Sequence, residues 1–274
     1  MRVKFTFLSS GRKAILPLNY NYFLTGLIYR FIQNSSEDYS RFLHDEGYKL
    51  GDSKKGFKLF TFSMLKGEKF TVREGKINFE NGRVHWSVSS PVVAFLQHLV
   101  TGVFAENRKI SIGAGNDRAE FIIDRVETLQ EPKFNETMRF TCSSPVTVSK
   151  VISSGFSEGT APAASTPWSG RNCHYIRPWE EGFSDAIKNN LIKKYRLIHG
   201  RDIKDSKFRI TIDPEYMNRK NGKITKNINF KGTNIIGFMA PFEVTCSPEL
   251  LKVGYEAGFG EKGSMGFGMV KETE

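Results

Sequence analysis

The segment KLFTFSMLKGEKFTVREGKINFENGRVHWSV, residues 58–88, decides how this chain folds. Its apolar runs are short and are interrupted by Lys66-Gly67, Glu74-Gly75 and Asn81-Gly82, dipeptides that favour tight turns between antiparallel strands. The segment therefore predicts a hairpin-rich sheet with strands at 58–64, 69–73, 77–79 and 84–88.

Helical patterns lie on both sides of this segment. The chain before it predicts a helix that begins near Tyr22, with Asn19 or Asn21 as the capping residue. One apolar stripe at helical spacing supports that helix, formed by Leu24, Leu27, Ile28, Phe31 and Ile32. A shorter helical piece carries Tyr39, Phe42 and Leu43 and ends at Gly47.

Further elements complete the first half. A strand at 3–8 opens the chain, a helix at 91–100 follows the hairpins with a proline near its first turn, and strands resume around Ile110 and at 121–123. The order is β-α-β-β-α-β, which is typical of a ferredoxin-like domain.

The second half repeats this order. It predicts strands at 138–142, 146–151, 208–212, 224–230 and 235–242, and helices at 180–197 and 248–255. A Gly/Ala/Ser/Pro-rich stretch from Gly155 to Gly170 predicts a long loop. The predicted fold class is α+β, with two tandem ferredoxin-like (βαββαβ) domains and antiparallel sheets, at residues 1–130 and 131–274.

The charge balance predicts a polyanionic partner. The 274 residues carry 40 Lys and Arg against 29 Asp and Glu, a formal net charge of +11. Hydrophobic residues make up 39% of the chain and charged residues 25%, as in ordinary soluble globular proteins. The excess of positive charge favours nucleic acid as the partner.

The cysteines predict neither a disulfide framework nor a zinc site. Cys142, Cys173 and Cys246 lie far apart and show no metal-ligand spacing, which fits a reducing compartment. The opening residues MRVKFTFLSS alternate charged and apolar types, unlike a secretory leader. No segment reaches the ~20 uninterrupted apolar residues of a membrane helix. We therefore expect a cytoplasmic protein with no membrane partner.

A glycine-rich run, GFGEKGSMGFG at 258–268, is the most distinctive motif. Glycines allow a backbone to approach phosphates closely. A dinucleotide-binding fingerprint would open a β-α-β unit and be followed by more chain than 269–274, and the P-loop pattern G-x-x-x-x-G-K-[ST] is absent. From these residues alone, a phosphate-contacting loop and a glycine-rich turn before a final strand both stay open.

The run resembles the C-terminal glycine-rich signature of the CRISPR-associated repeat-RNA endoribonucleases, the sixth Cas family of the RAMP superfamily. The surrounding stretch LKVGYEAGFGEK, 251–262, is similar to the full family block. Other segments similar to that family are LIY at 27–29, FLHD at 42–45, KLFT at 58–61 and SPVTV at 144–148. The resemblance thus spans the chain, and the family's two ferredoxin-like domains agree with the predicted element order.

The resemblance implies a metal-independent endoribonuclease that cuts CRISPR precursor RNA within its repeats. Such a reaction needs a group that helps the 2′-hydroxyl lose its proton, a group that protonates the 5′-oxygen, and positive charge near the phosphorane. The products would be a 2′,3′-cyclic phosphate and a 5′-hydroxyl, and DNA would be inert because it lacks the nucleophile. We expect no cofactor and no metal, since no Asp/Glu/His cluster shows nuclease spacing.

The resemblance assigns the catalytic roles to Tyr29, His44 and Lys58. His44 would be the general acid or base, because imidazole changes charge near neutral pH. Tyr29 lies outside the apolar stripe of its helix and would orient or deprotonate the 2′-hydroxyl, with packing beside the core as the rival interpretation. Lys58 would stabilise the phosphorane. The spacer before Lys58 is longer than the compact family pattern, so Lys54 and Lys55 are alternatives.

The predicted RNA-binding residues lie in the glycine-rich run and are Gly258, Gly260, Lys262, Gly263, Ser264, Gly266 and Gly268. Further positive surface is expected from Lys188, Lys193, Lys194, Arg196, Arg219, Lys220 and Lys223. The expected partner is CRISPR repeat RNA, as precursor and as mature guide RNA. The sequence leaves open a homodimer and a place in a CRISPR effector complex.

Two other functions remain compatible with the sequence. A non-catalytic RAMP-type subunit would hold guide RNA in an effector complex without cutting it. A general RNA chaperone would bind through charge, without preference for repeats and with a steep salt dependence.

Overall fold

The structure is a computed structural model that describes residues 1–11, 13–53, 56–105, 108–151 and 173–273. Each half of the chain forms an antiparallel sheet that packs with helices around its own apolar core. This arrangement confirms the predicted α+β class with two ferredoxin-like halves. The predicted loop from Gly155 to Gly170 lies outside the described residues, and the domain boundary at residue 130 stays a prediction.

The first half contains most of the predicted elements. In chain order they are β1 (Arg2–Ser9), β2 (Ala14–Pro17), α1 (Asn21–Ser35), α2 (Glu37–Arg41), β3 (Thr61–Phe62), β4 (Lys66–Gly67), β5 (Phe70–Arg73), β6 (Lys76–Phe79), β7 (Arg83–Ser89), α3 (Val93–Ala105), β8 (Lys109–Ile112) and β9 (Ala119–Leu129). The main sheet has the order β3-β7-β1-β9-β8, and β4 also pairs with β7. A second sheet, β2-β6-β5, contains the predicted hairpin between residues 70 and 79.

Apolar side chains at every second position of β1 explain where the first core lies. Val3, Phe5 and Phe7 are buried, and the rings of Phe5 and Phe7 lie 5.5 and 6.0 Å from Trp86 on the neighbouring strand. Successive side chains of a strand point to opposite faces, so the aromatic face of β1 fixes which side of the sheet the helices cover.

Helix α1 packs on that core through the predicted apolar stripe, which is buried. It crosses α3 closely at Gly102, where an added Cβ would lie 1.7 Å from the carbonyl oxygen of Phe31. The predicted asparagine cap is wrong, because the N-cap residue is Tyr20 and makes no side-chain capping bond. The two asparagines instead reach the second half: Asn21 Nδ2 donates to the Met265 carbonyl and Asn19 Oδ1 accepts from the Asn229 N–H.

The second half has the same core topology with an added hairpin. Its elements are β10 (Thr137–Cys142), β11 (Ser149–Val151), β12 (Cys173–Tyr175), α4 (Phe183–His199), β13 (Arg209–Ile212), α5 (Pro214–Arg219), β14 (Thr225–Phe230), β15 (Thr233–Phe238), β16 (Pro241–Thr245), α6 (Pro248–Ala257) and β17 (Val270–Glu272). The sheet order is β13-β16-β10-β17, while β14 and β15 pair only with each other among the described strands. The single strand predicted at 235–242 is two strands, because the Met239 N–H turns to the Ile224 carbonyl at 2.8 Å.

Within the described residues, no helix is both long enough and apolar enough to cross a bilayer.

Candidate active site and glycine-rich loop

Two of the predicted catalytic residues meet on the surface of the first half. Tyr29 lies on α1, half-buried, with its ring edge-on to Phe60 at 6.4 Å. His44 lies in a turn directly after α2, and its side chain is 74% exposed. The rings of Tyr29 and His44 are 5.7 Å apart between centroids at an interplanar angle of 78°. The structure therefore brings Tyr29 and His44 together.

The turn that carries His44 is π-helical over Phe42–Glu46. Gly47 ends the turn with a φ of 67°, and its N–H donates to the Phe42 carbonyl at 2.8 Å. A side chain at Gly47 would collide with the neighbouring segment, because an added Cβ would lie 2.6 Å from the Phe57 carbonyl oxygen. Glycine thus allows both the backbone conformation and the close approach of the segment that precedes Lys58. Short π-helical segments occur frequently at functional sites.

Lys58 reaches the same turn from behind. Its ammonium donates to the main-chain carbonyls of Leu43 and of His44, the latter at 2.8 Å. Burial lowers the pKa of Lys58, with Lys49 acting in the same direction and Asp45 opposing it. Lys58 precedes β3 and does not start a strand as predicted. The alternatives Lys54 and Lys55 lie outside the described residues.

Asp45 orients the imidazole of His44. Its Oδ1 lies 2.8 Å from Nδ1 of His44, so Nε2 is the ring nitrogen that can exchange a proton with a bound molecule. Burial, together with the charge of Asp45, raises the pKa of Tyr29 to about 12. The Tyr29 hydroxyl is therefore protonated at neutral pH and can donate a hydrogen bond.

A pocket of about 270 Å³ opens at this point. It is lined by Tyr29, Gln33, Glu37, Ser40, Arg41, His44 and Asp45. Sequence reasoning missed Arg41, whose guanidinium lies 2.9 Å from Glu37 and 3.7 Å from Asp38. The signal was its position three residues before His44, because residues one helical turn apart share a face.

The glycine-rich run packs between the two halves. Gly258, Gly260, Gly266 and Gly268 are buried, while Lys262, Gly263 and Ser264 are half-exposed. An added Cβ at Gly266 would lie 2.4 Å from the ring of Phe62, so a side chain there would push the first half away.

Several main-chain groups of the run are already bonded within the protein. The N–H of Gly266 donates to Gly263 at 2.9 Å and that of Gly268 to Pro145 at 2.8 Å. A phosphate at these two amides would have to displace those bonds. The half-exposed part, residues 261–265, is where the run can meet a ligand.

The run also clamps α1 to the second half. Thr25 Oγ1 donates to the Ser264 carbonyl at 3.0 Å, and Thr61 Oγ1 donates to the Phe267 carbonyl at 2.7 Å. The helix that carries Tyr29 is therefore held directly against the loop.

Lys194 supports the loop from inside, so its prediction as positive surface is wrong. It is 5% exposed, and its Nζ donates to the carbonyls of Ala257, Gly258 and Gly260 at 3.1, 2.6 and 2.7 Å. Burial lowers the pKa of Lys194 to about 7, against the attraction of Glu261. The other six predicted basic residues are exposed or half-exposed: Lys188, Lys193, Arg196, Arg219, Lys220 and Lys223.

Within the described part of the chain, no group of three or more His, Cys, Asp or Glu side chains is arranged to hold a metal ion.

The fold of the chain has a counterpart among solved structures. A RAMP protein whose structure is described as binding different RNA substrates has a TM-score of 0.78 and 23% sequence identity to this chain, with 100% of each chain covered. The chain therefore shares the fold of that protein, with two ferredoxin-like domains.

Two family models together match most of the chain. The model for the C-terminal part of CRISPR associated protein Cas6 matches residues 129–272, and the model for the N-terminal part of CRISPR-associated protein Cas6 matches residues 15–127. The chain therefore belongs to the Cas6 family.

Two curated relatives cover nearly the whole chain. The CRISPR-associated endoribonuclease Cas6 1 of Methanocaldococcus jannaschii is 28% identical over 270 residues, covering 97% of this chain and 91% of the relative. The CRISPR-associated endoribonuclease Cas6 of Pyrococcus furiosus is 30% identical over 259 residues, covering 93% of this chain and 83% of the relative.

Proposed function

We propose that this chain is an endoribonuclease that cuts CRISPR precursor RNA within its repeats and needs no metal. Membership of the Cas6 family and the naming of both relatives as endoribonucleases support the RNA-cutting activity. The observation that carries the chemistry is the edge-to-face contact of Tyr29 and His44 at one exposed pocket. A tyrosine hydroxyl and an imidazole can there act on the same phosphodiester.

The proposed reaction uses the RNA as its own nucleophile. The 2′-oxygen forms a bond to phosphorus while the bond from phosphorus to the 5′-oxygen breaks, which gives a 2′,3′-cyclic phosphate. The 2′-hydroxyl loses one proton and the leaving 5′-oxygen gains one, so the step needs no oxidant or other co-reactant. Nε2 of His44 exchanges one of these protons and a water molecule exchanges the other, with the Asp45 carboxylate holding the imidazole at Nδ1.

Tyr29 acts in this proposal as a hydrogen-bond donor. Because its pKa is raised to about 12, tyrosinate is scarce at neutral pH and a role as free base is disfavoured. The neutral hydroxyl instead orients the ribose 2′-oxygen for attack. Of the two roles that the sequence left open for Tyr29, the proposal takes orientation of the 2′-hydroxyl.

Positive charge near the phosphorane comes from Lys58 and Arg41. The ammonium of Lys58 donates to the carbonyls of Leu43 and His44, so it fixes the π-helical turn and brings a cation behind His44. The guanidinium of Arg41 lines the pocket itself. A guanidinium can bind two phosphate oxygens at once, and in this proposal Arg41 exchanges its carboxylate partner Glu37 for the phosphate.

RNA is held, in this proposal, by the half-exposed part of the glycine-rich run and by the exposed basic residues of α4 and α5. Lys262 and Ser264 supply side chains to phosphates, while the buried glycines keep the loop close to the first half. Such contacts position the strand and do not read its sequence. The free thiols of Cys142, Cys173 and Cys246 are consistent with a reducing cytoplasm as the place of action.

One comparison tests the proposal. Repeat RNA and the same RNA with a single 2′-deoxy nucleotide at the cut site are incubated with the protein in EDTA. We expect the first to give cyclic-phosphate ends and the second to stay intact while still bound. Cleavage of the deoxy RNA at the same position, or a requirement for added divalent metal, would contradict the mechanism. Intact, bound RNA in both samples would instead indicate the non-catalytic RAMP-type subunit.

A further inference from the structure

An aromatic corner with a cation lies at the start of α1, away from the pocket of His44. Tyr22 is 39% exposed, and its ring meets the ring of Phe230 edge-on at 5.6 Å and 86°. The ammonium of Lys231 lies 4.4 Å from the centroid of the Tyr22 ring. An exposed aromatic face with an adjacent cation is the combination that binds unpaired bases in single-stranded nucleic acids.

The corner is built from both halves of the chain. Phe230 and Lys231 lie at the tip of the β14–β15 hairpin, where Lys231 and Gly232 turn the backbone at φ values of 50° and 82°. The Asn229 N–H donates to Asn19 Oδ1 at 3.0 Å, which fixes the hairpin tip beside the first turn of α1. This hairpin is an addition to the βαββαβ core of the second half, so the core fold itself does not require it.

Tyr22 lies on the same helical face as Tyr29. Seven residues are almost two turns, and the rise of 1.5 Å per residue puts the two residues about 10.5 Å apart along α1. Between them Gly26 is exposed, and an added Cβ would meet nothing within 4 Å. The face between the two tyrosines is therefore open, and it is bordered by the Thr25 contact to the glycine-rich run.

We propose that Tyr22, Phe230 and Lys231 form a stacking site for one unpaired base of the bound RNA. An extended single strand covers the distance to Tyr29 in about two nucleotides, so the stacked base lies about two nucleotides from the scissile phosphate. Lys231, whose ammonium lies over the Tyr22 ring, moves to a neighbouring phosphate, and the base takes its place on the ring. The inference rests on the proposed function, because it takes the position of the cut from Tyr29 and His44.

The test uses binding, so it does not depend on catalysis. Repeat RNA with a 2′-deoxy nucleotide at the cut site is prepared intact and as a series with one abasic position each. We expect Tyr22→Ala to weaken binding of the intact RNA by roughly 5- to 150-fold, the range for losing one base–aromatic stack. At one abasic position within about two or three nucleotides of the cut, wild type and Tyr22→Ala should bind equally, because the stacked base is already gone.

Two control variants separate stacking from general damage. Tyr22→Trp keeps an aromatic face and should retain binding of the intact RNA. Phe104→Ala removes a comparable side chain, 60% exposed with the guanidinium of Arg108 at 5.9 Å, and should leave binding unchanged. Thermal unfolding of each variant shows whether the fold is intact.

The outcomes separate a failure of the stacking site from a failure of the proposed endoribonuclease activity. Equal binding by wild type and Tyr22→Ala would overturn the stacking site, whether or not the RNA is cut. A loss that is the same at every abasic position would also overturn it, because a local stack must show one matching position. If the normal repeat RNA is bound but never cut, the proposed catalysis fails, while a matched abasic position would still establish the stack.

Discussion

The imidazole of His44 meets the ring of Tyr29 edge to face, with 5.7 Å between the two centroids, although the residues come from different helical segments. The contact is maintained by the π-helical turn, which Gly47 ends and Lys58 ties down through main-chain carbonyls. An imidazole and a phenol held in this way can act on one phosphate without a large rearrangement.

Replacing His44 by Ala removes the proposed proton carrier. We expect the cleavage rate of repeat RNA to fall by roughly 10²–10⁴, while binding of the 2′-deoxy RNA changes little. His199→Ala is the matched control, because His199 is also exposed and also contacts a tyrosine ring, that of Tyr195 on α4, at 4.4 Å between centroids and a tilt of 39°. An unchanged rate for His44→Ala would remove His44 from the mechanism.

Replacing Tyr29 by Phe removes one hydroxyl and keeps the ring contact. We expect the cleavage rate to fall on the order of 10- to 100-fold, the effect of one hydrogen bond to a developing charge. Because the pKa of Tyr29 is raised to about 12, the hydroxyl has the same protonation state over the working range. The ratio of wild-type to variant rate should therefore be constant between about pH 6 and about pH 10.

A tyrosinate base would behave differently. The ratio of the wild-type to the Tyr29→Phe rate would then rise about tenfold with each pH unit, because the reactive fraction of Tyr29 would rise in that way below its pKa. Rates measured on the same RNA at several pH values distinguish the two roles.

Much of the fold was predictable because its signals are local. Glu74-Gly75 turns the β5–β6 hairpin and the apolar stripe specifies α1, both without distant contacts. The turn predicted at Lys66-Gly67 is wrong, because these two residues form β4 and pair with β7. Asn81-Gly82 turns the chain from one sheet into the other, since β6 and β7 lie in different sheets. The asparagine cap failed because Asn19 and Asn21 bond across to the second half. Hydrogen bonds to residues more than 200 positions away cannot be predicted from the sequence next to an asparagine.

The residues proposed for the site came from the resemblance, and its shape did not follow from the sequence. Resemblance supplied Tyr29, His44 and Lys58, but the π-helical turn depends on contacts of Gly47 and Lys58 that are distant from its own helical pattern. The burial of Lys194 did have a signal. It continues the apolar stripe Phe183, Ile187 and Leu191 at helical spacing, which predicts that its side chain faces the core.

Replacing Lys58 by Met tests its positioning of the π-helical turn. The carbonyls of Leu43 and His44 lose their donor, so we expect the free energy of unfolding to fall by about 1–2 kcal/mol in denaturant titrations. The cleavage rate should fall as well, since the turn no longer holds His44 against Tyr29. Lys49→Met, which removes an exposed lysine of the same region 3.5 Å from Glu46, should change neither quantity much. Retained stability together with a full rate would contradict the positioning role.

Replacing Lys194 by Met tests the support of the glycine-rich run. Three carbonyls, of Ala257, Gly258 and Gly260, lose their donor, while the variant no longer has to bury an ammonium. These two effects oppose each other. We expect the lost hydrogen bonds to dominate, so that the free energy of unfolding falls by about 1–3 kcal/mol. Binding of 2′-deoxy repeat RNA should weaken as the loop loses its shape. The neighbouring exposed Lys193, replaced by Met, should affect RNA binding without the loss of stability.

Glu131 links α6 to the start of the chain through ion pairs. Its ionisation should make the free energy of unfolding depend on pH. Its carboxylate lies 2.9 Å from Lys252 Nζ and 2.9 Å from the N-terminal nitrogen of Met1. Burial pushes the pKa of Glu131 upward, but these two donors outweigh it and lower the pKa from 4.5 to about 2. A carboxyl group with a lowered pKa in the folded state adds stability above its unfolded pKa, and this contribution is lost as the pH falls toward 2.

Replacing Glu131 by Gln should therefore lower the free energy of unfolding by about 1–2 kcal/mol at neutral pH, a value reduced from the full linkage because the side chain is partly exposed. The difference between wild type and variant should shrink as the pH falls below about 4 and be small near pH 2, where the carboxyl group is largely protonated in the unfolded chain and about half protonated in the folded one. Glu120→Gln is the control, since that exposed carboxylate is 3.8 Å from Arg118 and should show no such dependence. Denaturant titrations across this range measure the difference directly, and a gap that stays constant down to pH 2 would mean that the charge of Glu131 does not tie α6 to the first half.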